Sequence, residues 1–165
     1  MENQMKTIRV KEEWQRAGVY YVRTEAMVLG FNLSLEGEFA DDTPDGKYIL
    51  VTDDHGKPLS TNRIHLLPER NLAKIERVAT ISTARGLGAG AAGILAAEDW
   101  IREFGYSHIV ITSREEAEGF YHKLGYTTRE DMNPDTLELK KPSDPVREIK
   151  DRRFICVYME KQLYE

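Results

Sequence analysis

The chain has 165 residues, 41% hydrophobic and 31% charged, with a formal net charge of −5. That is enough apolar material for a single packed domain over residues 1–165, and it excludes a disordered chain. Net acidity argues against nucleic acid as a partner, and a lone cysteine, Cys156, excludes an internal disulfide and fits a reducing compartment.

No apolar run approaches membrane-spanning length. The first residues, Met1, Glu2, Asn3, Gln4, Met5 and Lys6, lack the apolar centre of a signal peptide. The expectation is a cytoplasmic protein without membrane contact. Ile8, Arg9 and Val10 suit a short first strand. Residues 11–29 have helical spacing, with Trp14, Gly18, Tyr21, Val22, Glu25 and Val28 three or four apart. Residues 36–46 read as an acidic loop, with Glu36, Glu38, Asp41, Asp42 and Asp45 on a solvated turn or at a mouth that attracts a cationic amine. Strands are expected over 47–52 and 59–66, joined by a hairpin turn over 53–57, and a further strand over 74–81. A helix is expected over 88–104, its apolar face interrupted by Glu98 and its end marked by Gly105. A strand over 107–112 follows. Ser113 and Glu116 have capping-box spacing for a helix that ends at Gly125. Residues 126–129 begin a strand, 132–150 form a long loop around one short strand, and 153–159 form the last strand. A hairpin-rich first half followed by strand–helix–strand–helix predicts an α/β fold, with a mixed sheet and helices on both faces.

The segment 79–93 reads A-T-I-S-T-A-R-G-L-G-A-G-A-A-G and has the composition of an anion site. Glycines let the backbone approach a ligand closely, and a helix start offers unpaired N–H groups and partial positive charge. Arg85 adds planar donors suited to phosphate oxygens. Gly88 to Gly93 also spells G-x-G-x-x-G, the dinucleotide fingerprint, but six residues separate Ile81 from Gly88. The acid expected about 20 residues on is missing from the strand where it would sit.

Arg85-x-x-Gly88-x-Gly90 resembles the R/Q-x-x-G-x-G/A signature of the GNAT N-acetyltransferases, and Phe120-Tyr121-His122-Lys123-Leu124-Gly125-Tyr126 looks like that family's F/L-Y-x-x-L/F-G-F segment. The resemblance spans roughly residues 74–128. The N-terminal part, with its long helix and acidic loop, looks most like the ElaA-like branch. The resemblance implies a mostly antiparallel central sheet and acetyl transfer from acetyl-coenzyme A, with no metal, to a primary amine on a small molecule or peptide. Cofactor contacts would come from Val78, Ala79 and Thr80 on the strand and from Arg85, Gly86, Leu87, Gly88, Ala89, Gly90 and Ala91 around the pyrophosphate. Arg114 stands where many relatives place an asparagine or glutamine that contacts the coenzyme. A homodimer is left open.

Two residues are candidates for the chemistry. The resemblance places Tyr121 near the coenzyme sulfur as general acid; periodicity alone places it in the helix core with Ala117, Phe120 and Leu124. Glu76, an acid inside the strand before the loop, suits the base that deprotonates the amine. It equally suits a surface glutamate paired with Arg77 or a neighbouring strand. His55, His65, His108 and His122 lack metal-ligand spacing. A catalytically silent acyl-coenzyme A-binding module, with Tyr121 and Glu76 structural, is the alternative function.

Overall fold

A computed structural model describes residues 4–146, 148 and 151–164. Met1, Glu2, Asn3, Arg147, Ile149, Lys150 and Glu165 lie outside it, so the expected loop over 132–150 is compared without three of its positions, and the expected N-terminal reading without its first three residues.

Among the described residues seven strands form one sheet. They are β1 (Lys6–Arg9), β2 (Lys47–Thr52), β3 (Pro58–Leu67), β4 (Leu72–Thr80), β5 (His108–Arg114), β6 (Thr127–Thr128) and β7 (Cys156–Gln162), in the order β1-β2-β3-β4-β5-β7-β6. Every neighbouring pair is antiparallel except β4 and β5. The sheet is accompanied by the α-helices α1 (Glu13–Arg23), α2 (Leu35–Phe39), α3 (Ala89–Glu103) and α4 (Glu118–Lys123). A Cβ on Gly18 of α1 would meet Leu50 at 2.9 Å, and one on Gly93 of α3 would meet Val51 at 3.2 Å. Successive strand residues point to opposite faces, so α1 and α3 cover opposite sides of β2. The expected mixed, mostly antiparallel sheet with helices on both faces is what the chain forms. The core between these layers holds Val19, Val22, Ile49, Leu50, Ile75, Ile94 and Ile101, all at most 1% exposed.

Several local expectations are corrected. The helix expected over 11–29 opens with a capping box, in which Lys11 and Glu12 N–H donate to Gln15 Oε1 at 2.7 and 2.9 Å. It is α-helical only to Arg23; Thr24–Leu29 is a π-helical turn. Residues 36–46 are not simply a loop, because α2 runs through Phe39, with Ser34 as N-cap accepting from Gly37 N–H at 3.0 Å. Nor is that segment a solvated run: Glu38 and Asp42 are buried against arginines from other elements. Ser113 does not cap a helix, since the β5–β7 ladder continues to Arg114 opposite Cys156 and keeps the backbone extended. Its hydroxyl donates to Arg114 O, and α4 begins only after a 3-10 turn over Glu115–Ala117. Glu98 is buried and used, accepting from Tyr126 Oη at 2.8 Å and Lys161 Nζ at 2.9 Å, which ties α3 to β7. In 132–150 the described residues show a single bridge, Met132 opposite Leu139, rather than a strand. The last strand starts three residues later than expected, after Asp151 accepts from Arg153 N–H and closes a 3-10 turn.

Candidate active site

The site begins where two strands part. β4 and β5 pair only through Ala73–Ile109 and Lys74–Val110. From Ile75 onward β4 keeps its ladder with β3 but parts from β5, whose other edge pairs with β7 along its whole length. The wedge between them exposes main-chain donors and acceptors along residues 75–80, able to bond an extended amide-bearing ligand as an added strand would. A β-bulge lies in the same stretch. Thr61 opposes Ala79 and Arg63 opposes Glu76, so Arg77 and Val78 together face the single residue Asn62. Arg77 takes a left-handed φ of 51° to make it, uncommon for a side-chain-bearing residue.

The glycine loop closes the wider end of the wedge. Gly86 and Gly88 have φ of 78° and 87°, and a Cβ on either would meet nothing within 4 Å. Their glycine requirement is therefore conformational, and the space above them is open to a ligand. Ala92 N–H makes the first bond of α3, to Gly88 O at 3.0 Å, so the N–H groups of Ala89, Gly90 and Ala91 come before the helical ladder. Gly90 sits inside the first turn, where a Cβ would stand 3.3 Å from the Phe120 ring and 3.4 Å from Thr80 Oγ1. Glu25, on the π-helical turn, accepts from Ser82 N–H at 3.2 Å and Ser82 Oγ at 2.8 Å, fixing the entry to the loop.

One cleft of about 1480 Å³ gathers nearly every residue expected at the site: Glu76, Val78, Ala79, Thr80, Arg85, Gly86, Gly88, Ala89, Gly90, Ala91 and Tyr121. Leu87 stands apart; its side chain is 60% exposed and its N–H donates to Ala84 O at 3.3 Å. Tyr121 is 5% exposed and edge-on to Phe120 and Tyr126, with centroids 5.0 and 6.0 Å away. Burial pushes its hydroxyl well above the ordinary phenol range, with Arg114 pulling weakly the other way. Arg114 also lines the cleft and stacks its guanidinium on Phe31 at 4.8 Å.

The opposite wall is a network of ion pairs. Buried Arg23 donates from Nη1 and Nη2 to Asp42 at 2.7 and 2.8 Å and from Nε to Glu38 at 3.1 Å. Arg63 reaches Asp41 at 3.0 Å, Asp42 at 3.2 Å and Glu76 through Nε at 2.9 Å, with a second, shorter contact to Glu76 from Nη2. Arg77 adds Asp41 at 3.1 Å. Tyr48 Oη donates to Asp42, and burial together with that bond raises its pKa to about 12. The second oxygen of Glu76 lies 3.4 Å from His65 Nδ1. Glu76 thus pairs with the neighbouring strand, through Arg63 rather than Arg77. Among the described residues no group of histidine, cysteine and carboxylate side chains is arranged to hold a metal ion.

Residues 7–126 match the model of the acetyltransferase (GNAT) family. The chain belongs to the GNAT family. A curated relative, the uncharacterized N-acetyltransferase YjcF of Bacillus subtilis, is 29% identical over 122 residues, which cover 74% of this chain and 85% of YjcF. The crystal structure of a candidate N-acetyltransferase from Lactobacillus plantarum superposes with a TM-score of 0.78 at 26% identity, covering 98% of this chain and all of that one. Escherichia coli ElaA, at 14% identity and TM-score 0.68 with coverage of 98% and 100%, shares the fold. So does N-acetylglutamate synthase of Neisseria gonorrhoeae, solved with coenzyme A and N-acetylglutamate, at 14% identity and TM-score 0.67. That likeness covers all of this chain and 36% of the synthase. The chain is thus a GNAT acyltransferase. Among the described residues no helix is long and apolar enough to cross a membrane.

In this GNAT chain the contacts of Arg63, His65 and Glu25 have no signal in the sequence. Arg63 and His65 sit in a strand whose alternation was visible, but their partners lie on β4 and beyond α2, out of local reach. Glu25 has the spacing of any other residue on the helix expected over 11–29.

Proposed function

We propose that the chain transfers an acetyl group from acetyl-coenzyme A directly to a primary amine of a small molecule or peptide. The observation that carries this reading is the parting of β4 from β5 beside a glycine loop and a helix start, in one continuous cleft. The residues present fit the coenzyme. The positive-φ glycines leave open space where phosphates need backbone donors, and Arg85 stands exposed at the rim. Residues 78–80 supply main-chain bonds to the pantetheine arm. When bound, the coenzyme supplies the activated thioester; the protein positions the amine and moves protons. Glu76 takes a proton from the amine through Oε1, the oxygen that Arg63 leaves open. The amine nitrogen then bonds to the carbonyl carbon, the carbon–sulfur bond breaks, and Tyr121 gives its proton to the departing sulfur. Direct attack needs no acylated side chain. Half-buried Cys156, at the start of β7, agrees with a reducing, cytoplasmic setting.

The hold of Arg63 on Glu76 also favours a second reading, a silent acyl-coenzyme A-binding module in which Glu76 only ties β4 to β3. Thiol release from acetyl-coenzyme A with a panel of primary amines separates the two. Amine-dependent release supports transfer, whereas tight coenzyme binding without release supports the module. If NAD(P) raises the unfolding temperature more than coenzyme A does, both readings fall.

A further inference from the structure

The surroundings of Glu76 show where an abstracted proton can go. Its Oε2 is taken by the Arg63 fork, and its Oε1 lies 3.4 Å from His65 Nδ1. His65 is two residues from Arg63 on β3, hence on the same face of the sheet, and directly opposite Lys74 of β4. The Glu76 side chain is 15% exposed, whereas that of His65 is 57% exposed. The pair therefore leads from a shielded carboxylate inside the cleft to an imidazole in contact with water, and both residues line the same cavity. A carboxylate that has taken a proton while gripped by a guanidinium must lose it before the next turnover. Among the described residues, His65 is the uncharged-capable base recorded within ion-pair reach of it.

We infer that His65 is the proton outlet of the transfer reaction, an inference that rests on the acyltransferase reading above. The amine proton passes to Glu76 Oε1 and then to His65 Nδ1, and the imidazole releases its Nε2 proton to solvent. Exchange with water returns the ring to its starting tautomer. Over one turnover an ammonium and a thioester become an amide and a thiol. One proton ends on sulfur by way of Tyr121, one leaves through His65, and no oxidant or reductant takes part. The charged groups around the imidazole are Glu76 and Lys74 on β4 and Arg63 on its own strand, with Asp41 and Asp45 on the same cleft wall. Arg63 leaves Oε1 as the open oxygen of Glu76.

The test compares wild type, His65→Gln and His65→Ala by thiol release from acetyl-coenzyme A with an α-amino acid, a polyamine and a peptide N-terminus as acceptors. His65 is exposed, so both variants should unfold at the wild-type temperature. In His65→Gln, kcat should fall roughly 10-fold or more near neutrality while the KM for acetyl-coenzyme A stays put. The acidic limb of the pH–rate profile should move. Added imidazole should restore His65→Ala in proportion to its concentration. Full turnover with an unaltered pH profile in His65→Gln, or a loss that imidazole does not relieve, overturns the outlet and leaves acyl transfer standing. A wild type that releases no thiol with any of the three amines removes acyl transfer, and the outlet with it.

Discussion

Burial raises the Tyr121 phenol above its ordinary range, which suits the proposed role of proton donor rather than base. Tyr121→Phe keeps the ring against Phe120 and Tyr126 and removes the hydroxyl alone. Turnover should fall by about 100-fold, the scale of a lost general acid, with coenzyme A affinity unchanged in a calorimetric titration. Full turnover would reduce Tyr121 to packing. The two loop glycines should fail for different reasons. At Gly88 a side chain meets nothing but must adopt φ of 87°, a strain of about 1–2 kcal/mol, and it would fill the space a phosphate needs. At Gly90 the backbone is helical, and a side chain would push Phe120 and Thr80 instead. Gly88→Val should therefore lose coenzyme A binding in a folded protein. Arg85→Ala should lose less, because the backbone donors remain.

Among the elements, the segment from α1 to α2 departs most from its sequence pattern. Apolar spacing of three and four places the inner face of α1 but does not show the widening into a π-helical turn, because both helix types keep similar residues inward. Five acids in residues 36–45 read as a solvated run, since nothing local announces that Arg23 and Arg63 will turn toward them. The bulge at Arg77 and Val78 was equally hidden: its cause is the register with β3, set by residues on both sides of a hairpin. The conformation of the glycine loop was legible, because glycine records a positive φ in the letters. Arg23 is fully buried between Glu38 and Asp42. Arg23→Met would take the nearest cation from both buried acids, leaving Glu38 to Arg77 at 3.6 Å and Asp42 to Arg63 at 3.2 Å, and should cost about 3–5 kcal/mol by urea unfolding. A cost below 1 kcal/mol, the range of an exposed pair, would mean water reaches the cluster freely.

At the scale of the whole molecule, the order of the strands and helices could be read along the chain except for α2 and the strand expected within 132–150, but the placement of β7 between β5 and β6 could not. That insertion depends on a ladder between residues 108–114 and 156–162, far apart in sequence. The acid cluster should also shape stability against pH. Burial alone would raise the Asp41 carboxyl, but Arg63 and Arg77 outweigh it and hold the group at about 2, below its usual 3.8. Asp42 is depressed too, burial again being outweighed, there by Arg23 and Tyr48. Groups depressed in the folded state add stability above their unfolded pKa and lose it as pH falls through the folded one. Stability against urea should thus fall between about pH 4 and pH 2 through these groups, and the drop should shrink in Arg63→Met. The most direct test of acyl transfer in the β4–β5 cleft is thiol release from acetyl-coenzyme A, with and without a primary amine, by wild type and by folded Gly88→Val. Amine-dependent release by the wild type alone is the expected result; equal release by Gly88→Val, or none from a wild type that binds the coenzyme, would contradict it.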